Sequence, residues 1–189
     1  MIPKRILHDL ADVAENYDKS GVHAELEAVR LEGKIQGASG TPYENGVYKI
    51  DITITPKYPF EPPKMKFITK IWHPNISSQT GAIGLDVLKD HQWSPALTIQ
   101  QALLSLQGLM ESPEPDDPQD AEVAKQYKTD REGFNRKAKL WNETYASEGK
   151  DAAIDYVCAM GFDRQSALKA LEDNNWDPQA AANSLLDGI

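Results

Sequence analysis

The chain has 189 residues, a length that suits one domain of about 150 residues with a small second domain. Apolar residues make up 40% and charged residues 26%, which is not the composition of a disordered chain. The net charge of −9 argues against nucleic acid as a partner, and no stretch of about 18 apolar residues predicts a membrane span.

The first half of the sequence predicts one helix and then strands. Pro3 to Asn16 repeats apolar residues at helical spacing, with a proline in the first turn. From Gly21 to Thr69 the period falls to two, which predicts an antiparallel meander of three or four strands with one solvated face. Asn45-Gly46 closes a turn-rich connection, so we expect the strands near 29–35 and 47–55 to pair.

The second half predicts an irregular segment and then helices. Five prolines between residues 56 and 91 exclude regular ladder pairing over much of that segment, and long irregular segments are often functional. Thr98 and Gln101 have the spacing of a capping box and predict the start of a leucine-rich helix. Two more helices are predicted at 119–128 and 129–146, the second with Thr129 as its cap.

The last 40 residues predict a separate small domain. Ser147 to Lys150 is short and polar, and we interpret it as a linker. Three helices are predicted after it, at 151–160, at 163–174, and from Asp177, a capping residue followed by Pro178.

Together these elements predict an α+β fold. It consists of an N-terminal helix, a four-stranded antiparallel meander sheet and C-terminal helices, followed by a small three-helix bundle. We assign residues 1–147 to the core and 148–189 to the bundle. The single cysteine, Cys158, cannot form an internal disulfide, and the histidines lack zinc-ligand spacing. We therefore expect a cytoplasmic or nuclear protein without a metal or cofactor.

Five motifs between residue 1 and about residue 147 occur in the order in which ubiquitin-conjugating enzymes carry them, and the chain resembles that family. The motifs are Gly40–Gly46, Tyr58–Lys64, His73-Pro74-Asn75, Trp93–Leu97 and Pro115–Pro118. Residues 151–189 resemble a ubiquitin-associated domain, with Met160-Gly161-Phe162 in its first loop. A conjugating domain with this tail resembles the subclass that builds ubiquitin chains.

The resemblance implies acyl transfer through a cysteine thioester. A cysteine thiolate takes the C-terminal carbonyl of ubiquitin from an activating enzyme, and a substrate lysine then displaces the thiol. The family has its cysteine between the residues that correspond to Ile83 and Leu85, where this chain has Gly84. Glycine has no side-chain atom to acylate, so we expect no covalent adduct at this site.

Two further observations bear on the missing nucleophile. Cys158 follows Val157 on a predicted tail helix, which indicates a small buried hydrophobe and not a relocated nucleophile. All motifs around Gly84 are kept, which favours a single substitution in an otherwise competent enzyme over a pseudo-enzyme.

Three polar residues match catalytic positions of the family. Asn75 has the position of the amide that stabilises the oxyanion, or it fixes the turn after Pro74. Asp117 and Asp86 would orient the attacking lysine, or each caps a helix or shapes a turn. His73 is expected to pack and to bond to the backbone.

The resemblance also implies two surfaces for partners. The residues that correspond to the ligase-facing surface are Lys4, Arg5, Phe60, Pro95 and Ala96. As alternatives, Phe60 covers a sheet edge, and the two basic residues are ordinary surface residues of the first helix. The residues that resemble a ubiquitin-contacting patch are Met160, Gly161, Phe162, Leu185 and Leu186, although a small core needs such side chains too.

The expected function is therefore that of a ubiquitin-conjugating enzyme inactivated by Gly84. Its expected partners are ubiquitin, the activating enzyme and ubiquitin ligases, and we expect a monomer that binds neither nucleic acid nor membrane. The rival hypothesis is a non-catalytic ubiquitin-binding adaptor with the same fold.

Overall fold

The computed structural model describes residues 30–188, residues 22–27 and five residues of the N-terminal segment, namely Arg5, His8, Asp9, Asp12 and Val13. These five are helical, and the rest of the helix predicted from Pro3 to Asn16 lies outside the described residues. The chain divides into two compact units that meet between Ala146 and Ser147, one residue before the boundary expected from the sequence.

The first unit contains a four-stranded antiparallel sheet. Its strands are β1 (Val22–Glu27), β2 (Arg30–Gln36), β3 (Val47–Thr53) and β4 (Lys64–Phe67), and they lie side by side in chain order. The predicted meander is confirmed, and so is the pairing of the second and third strands, in which Ile35 lies opposite Tyr48. Their connection closes with a hydrogen bond of 2.9 Å from Gly37 N to Gly46 O.

One face of the sheet forms the core of the first unit. The buried residues of β2 and β3 on this face are Leu31, Ile35, Tyr48, Ile50 and Ile52. Helix α1 (Ile99–Glu111) contacts β1 and β2, and contributes the fully buried Leu103 and Leu106 to the same core. Each such aliphatic side chain stabilises the fold by about 1.5 to 3 kcal/mol.

The α-helices that follow the sheet in this unit show where capping could be predicted. At α1 the predicted capping box is confirmed: Gln101 N donates to Thr98 Oγ1 at 3.1 Å, and Thr98 N donates to Gln101 Oε1 at 3.0 Å. Helix α2 (Ala121–Thr129) begins two residues later than predicted, because Asp120 is its cap. Helix α3 (Arg131–Tyr145) is capped by Asp130, so the prediction of Thr129 was wrong.

Helix α3 docks on the turn between β2 and β3 through Asn142. The Tyr48 hydroxyl donates to Asn142 Oδ1 at 2.6 Å, and Asn142 Nδ2 donates to Glu44 O at 2.9 Å. A Cβ on Gly46 would lie 1.9 Å from Asn142 Oδ1, so only glycine allows this approach. Asn45 beside it adopts a left-handed φ of 63°, which asparagine tolerates.

The second unit is the predicted three-helix bundle, formed by α4 (Glu148–Cys158), α5 (Arg164–Asp173) and α6 (Pro178–Asp187). Its core residues include Ile154, Val157 and Leu171. The predicted linker at 147–150 was wrong, because residues 148–150 are the first turn of α4. A polar composition is common to linkers and to exposed helix starts, so composition alone could not separate them.

Within the described part of the chain, no helix is long and apolar enough to span a membrane. The same residues contain no group of three or more His, Cys, Asp or Glu side chains that could hold a metal ion.

Candidate active site

Residues 73–84 form a hairpin beside β4, and Gly84 ends its second arm. Gly84 N donates to Asn75 O on the first arm at 2.8 Å. Phe67 N on β4 donates to Gly81 O at 2.9 Å. Gly81 has a φ of 76°, and a Cβ there would lie 2.1 Å from Phe67 O, so the turn requires glycine. Residue 84 is therefore held by a backbone bond within a hairpin that is itself bonded to β4.

Asn75 connects this hairpin to the loop 112–120. Its Nδ2 donates to Glu114 O at 2.9 Å and to Asp117 O at 3.0 Å, while Glu114 N donates to Asn75 Oδ1 at 2.8 Å. The residue is only 1% exposed. All three partners lie on a loop other than its own, which neither interpretation of Asn75 from the sequence had included. Its oxyanion role stays a prediction.

A second connection joins the same hairpin and loop. The Asp120 carboxylate accepts hydrogen bonds from Ser78 N at 2.9 Å and Ser78 Oγ at 2.7 Å. Burial alone would raise the pKa of Asp120, but these bonds and that from Val123 N hold it below its usual value. Asp120 N also donates to Pro74 O at 3.0 Å. The carboxylate is therefore a stable anionic acceptor at the cap of α2.

The space beside Gly84 is bounded by the two connected segments. A Cβ built on residue 84 would lie 3.1 Å from Gln119 Cβ, 3.3 Å from Gln119 Oε1 and 3.4 Å from Asn75 O. Its backbone is not in the left-handed region, so an L side chain is compatible with this conformation. Sequence reasoning missed Gln119, since an exposed glutamine in a loop carries no pattern that distinguishes it.

The predicted carboxylates Asp86 and Asp117 are both exposed. Asp86 lies in a single-turn 3-10 helix (Asp86–Leu88), and its Oδ1 accepts from Lys89 Nζ at 2.6 Å, which lowers the pKa of Asp86. The Asp86 carboxylate raises the pKa of Lys89, and the charge of Asp117 adds to this effect. Both predicted carboxylates thus interact electrostatically with the same ammonium group, that of Lys89.

His73 lies in the core and bonds to the backbone, as expected. Asn75 N donates to His73 Nδ1 at 3.0 Å, so the proton is on Nε2, which lies 2.9 Å from Leu109 O. Burial lowers the pKa of His73 to about 4, against weaker opposing bonds to the backbone of Leu109 and Met110. A neutral, enclosed imidazole supports the hairpin and does not reach the site.

Three of the predicted ligase-facing residues, Phe60, Pro95 and Ala96, lie on two loops joined by Trp93. The Trp93 indole donates to Pro59 O at 2.8 Å and packs near the Tyr58 ring. Phe60 is 79% exposed, so it does not cover a sheet edge. Pro95 and Ala96 are exposed as well. The surface is therefore available to a partner, and its use by a ligase stays a prediction.

Arg5 is held in the fold by three acceptors. Its guanidinium donates to Pro95 O at 2.8 Å, to Leu97 O at 2.5 Å and, through Nε, to Asp9 Oδ1 at 3.0 Å. The fully buried Asp9 also accepts from the Tyr58 hydroxyl. Arg5 is thus not an ordinary surface residue, because it braces the loop that carries Pro95 and Ala96. Lys4 lies outside the described residues.

The predicted ubiquitin-contacting residues of the bundle fall into two groups. Met160 and Leu186 are 44% and 53% exposed, while Phe162 and Leu185 pack against the core of the bundle. Gly161 has a φ of 98° between Met160 and Phe162. The loop thereby combines an exposed apolar side chain with an anchored one, and its affinity for ubiquitin stays a prediction.

The fold and the site agree with the matches to known families. Residues 5–142 match the family "Ubiquitin-conjugating enzyme", and residues 150–185 match the "UBA/TS-N domain". Since the first match covers most of the chain, this chain belongs to the ubiquitin-conjugating enzyme family and carries a C-terminal ubiquitin-associated domain.

Several curated relatives are similar along nearly the whole chain. Ubiquitin-conjugating enzyme E2 K of Homo sapiens is 47% identical over 193 residues, covering 97% of this chain and 96% of the relative. Ubiquitin-conjugating enzyme E2 27 of Arabidopsis thaliana is 48% identical over 185 residues, covering 96% of each. Among solved structures, the domain of a Toxoplasma gondii ubiquitin conjugating enzyme is 55% identical with a TM-score of 0.71, covering 76% of this chain and 97% of that one.

Proposed function

We propose that this chain has the frame of a chain-building ubiquitin-conjugating enzyme and is inactive because residue 84 is glycine. In the competent form, residue 84 would accept ubiquitin from the activating enzyme as a thioester, and a ligase would direct its transfer to lysine. The relatives' names support the class of activity.

The observation that carries the proposal is the space at residue 84. Its backbone suits an L residue, and an added Cβ would lie 3.1 Å from Gln119 Cβ, so Gln119 would have to move by a few tenths of an ångström to admit it. A cysteine fits the backbone at this position once Gln119 has made that small shift. Glycine itself has nothing to acylate, so the first covalent step is absent.

A thioester assay with activating enzyme, ATP and ubiquitin tests the proposal. The chain with Gly84 should give no adduct, whereas Gly84→Cys should give one that a thiol reductant removes. Gly84→Ser should give at most a slow adduct that resists the reductant, and Gly84→Ala should give none.

Cys158 provides the internal control, because it is the only cysteine of the chain. The double variant Gly84→Cys with Cys158→Ser has a single thiol, at residue 84, and should load as well as Gly84→Cys. A reducible adduct on the Gly84 chain that Cys158→Ser abolishes would contradict the proposal and assign the chemistry to the tail.

The rival is a non-catalytic adaptor that docks ligases and ubiquitin. The exposed Phe60 on the core and the exposed Met160 and Leu186 on the bundle favour it, since these surfaces need no nucleophile. If Gly84→Cys folds and binds ubiquitin but gives no adduct with the activating enzyme, the adaptor is the better account.

A further inference from the structure

A cavity of about 460 Å³ lies in the first unit, between the connection from β3 to β4 and the segment 83–90. Asn75 and Gln119, which bound the space beside Gly84, do not line it. Pockets that bind small organic molecules have volumes of about 300 to 1,000 Å³. The cavity is therefore large enough for such a molecule, and its lining is different from that of the acyl-transfer site.

Five apolar side chains form part of the cavity wall. They are Pro62, Pro63, Met65, Ile83 and Leu88. The two prolines are buried, and the other three are partly buried and pack against the core of the first unit. The wall is therefore held in place before any ligand arrives, and it offers contact to the apolar part of a molecule.

One cation and one anion of the lining have no charged partner. Of the charged side chains that line the cavity, Glu61 is already paired, because Lys57 Nζ lies 3.1 Å from its Oε1. Lys64 and Asp90 line the same cavity, are exposed, and form no ion pair within the residues that the structure describes. A molecule that carries one positive and one negative group would complement both of them.

Thr55 also lines the cavity, and its hydroxyl group lacks a hydrogen bond. Among the described residues, Thr55 Oγ1 is a buried oxygen atom with no partner. A buried polar atom without a partner is unfavourable. Rotation about the Cα–Cβ bond of Thr55 can exchange Oγ1 with the methyl group and breaks no existing hydrogen bond, so a ligand in the cavity can supply the missing one.

We propose that this cavity binds a small zwitterion with an apolar body, such as a free amino acid with an apolar side chain. The ammonium group of the ligand pairs with Asp90, and its carboxylate pairs with Lys64. The apolar body lies against the proline and aliphatic wall, and a polar atom of the ligand bonds to Thr55. This site requires no nucleophile at residue 84, so it stands or falls independently of the proposed function.

The test is a titration of the full chain, labelled at its methyl groups, with L-leucine as the probe. We expect saturable chemical-shift changes at the methyl groups of Thr55, Met65 and Ile83, which line the cavity. Leucinamide lacks the carboxylate and 4-methylpentanoate lacks the ammonium group. Each should bind about 5-fold more weakly than leucine, because each loses one ion pair.

Two substitutions assign each ion pair to its residue. Lys64→Gln should raise the Kd for leucine about 5-fold and leave the Kd for leucinamide unchanged, whereas Asp90→Asn should raise the Kd for leucine and leave that for 4-methylpentanoate unchanged. Lys66→Gln is the matched control, since Lys66 is an exposed lysine of β4 that does not line the cavity, and it should bind leucine as the parent does.

Thr55→Val separates binding from stability. The free variant should unfold at the same temperature as the parent or at a higher one, because the hydroxyl group it removes has no partner, and it should bind leucine more weakly. Failure of leucine to shift the three methyl groups in a saturable manner would overturn the proposal. Equal affinity for the three probes, or leucine binding that neither Lys64→Gln nor Asp90→Asn weakens, would overturn it as well.

Discussion

Asn75 and Glu114, 39 residues apart in the chain, hold each other by two hydrogen bonds, Nδ2 to Glu114 O at 2.9 Å and Glu114 N to Oδ1 at 2.8 Å. The two bonds resemble those between paired strands, except that one partner is a side-chain carboxamide and not a backbone. It places the loop 112–120 over the hairpin 73–84, and therefore beside residue 84.

Removing this pairing should destabilise the first unit. For Asn75→Ala we expect a loss of about 3 kcal/mol in the free energy of unfolding, because three backbone groups of the loop lose their hydrogen-bond partner, at about 1 kcal/mol each. Urea unfolding followed by circular dichroism measures the change. Asn135→Ala, at an exposed position of α3, should lie within about 0.5 kcal/mol of the parent. Equal effects of the two substitutions would refute a bracing role for Asn75.

His73 should make the stability of the first unit depend on pH. Its pKa is 6.5 in the unfolded chain and about 4 in the fold, so the unfolded state binds the proton first as the pH falls. The contribution of His73 to the free energy of unfolding is fully present above pH 6.5. It is lost as the pH falls from 6.5 to 4, by about 3 kcal/mol in total. Urea unfolding at several pH values in this window measures it.

The control for this effect is a matched histidine. His73→Gln should flatten the pH profile over the window, although it lowers stability at every pH. His91→Gln, at an exposed position, should keep the slope of the parent. A slope that His73→Gln leaves unchanged would assign the pH dependence to other groups.

Much of the fold followed from the sequence, but the bonds that assemble the site did not. Thr98 and Gln101 are three residues apart, so the capping box could be predicted from local spacing. At α3, Thr129 and Asp130 are adjacent candidates, and only the structure shows that Asp130 accepts from Gly133 N. The partners of Asn75 lie about 40 residues away, beyond any local pattern.

The bonds of Arg5 to Pro95 and Leu97 could not be predicted from local sequence either, and they give a third prediction. For Arg5→Ala we expect a loss of about 2 to 3 kcal/mol in stability, because the buried Asp9 loses its cationic partner and two carbonyls lose a donor. Arg136→Ala removes only an exposed pair to Glu132 and should change stability by less than about 0.5 kcal/mol. Thermal unfolding of both variants tests this prediction. An Arg5→Ala variant as stable as the parent would contradict the claim that Arg5 braces the loop.

The bundle should lose ubiquitin affinity through its exposed residues alone. Met160→Ala and Leu186→Ala should each raise the Kd for ubiquitin about 5-fold, which corresponds to roughly 1 kcal/mol, without unfolding the bundle. Chemical-shift titration of labelled ubiquitin measures the affinity.

The remaining residues of the patch separate binding from stability. Phe162→Ala and Leu185→Ala should lower the stability of the bundle, because both side chains pack against its core. Tyr156→Ala, at an exposed aromatic residue of α4, is the control for loss of apolar surface and should leave the Kd unchanged. Full affinity in the Met160→Ala, Leu186→Ala double variant would refute the patch.

The two units are separated by almost no spacer: Ala146 is buried with the first core, and α4 begins at Glu148. A protease or a truncation that separates the two units intact must therefore cut the chain between residues 146 and 148. A fragment that starts at Asp151 would lack the opening turn of its first helix and lose the ammonium of Lys150, which lies 4.9 Å from the Trp176 ring centre. Weak ubiquitin binding by such a fragment would be an effect of the truncation point. Fragments of the tail should therefore begin at Ser147.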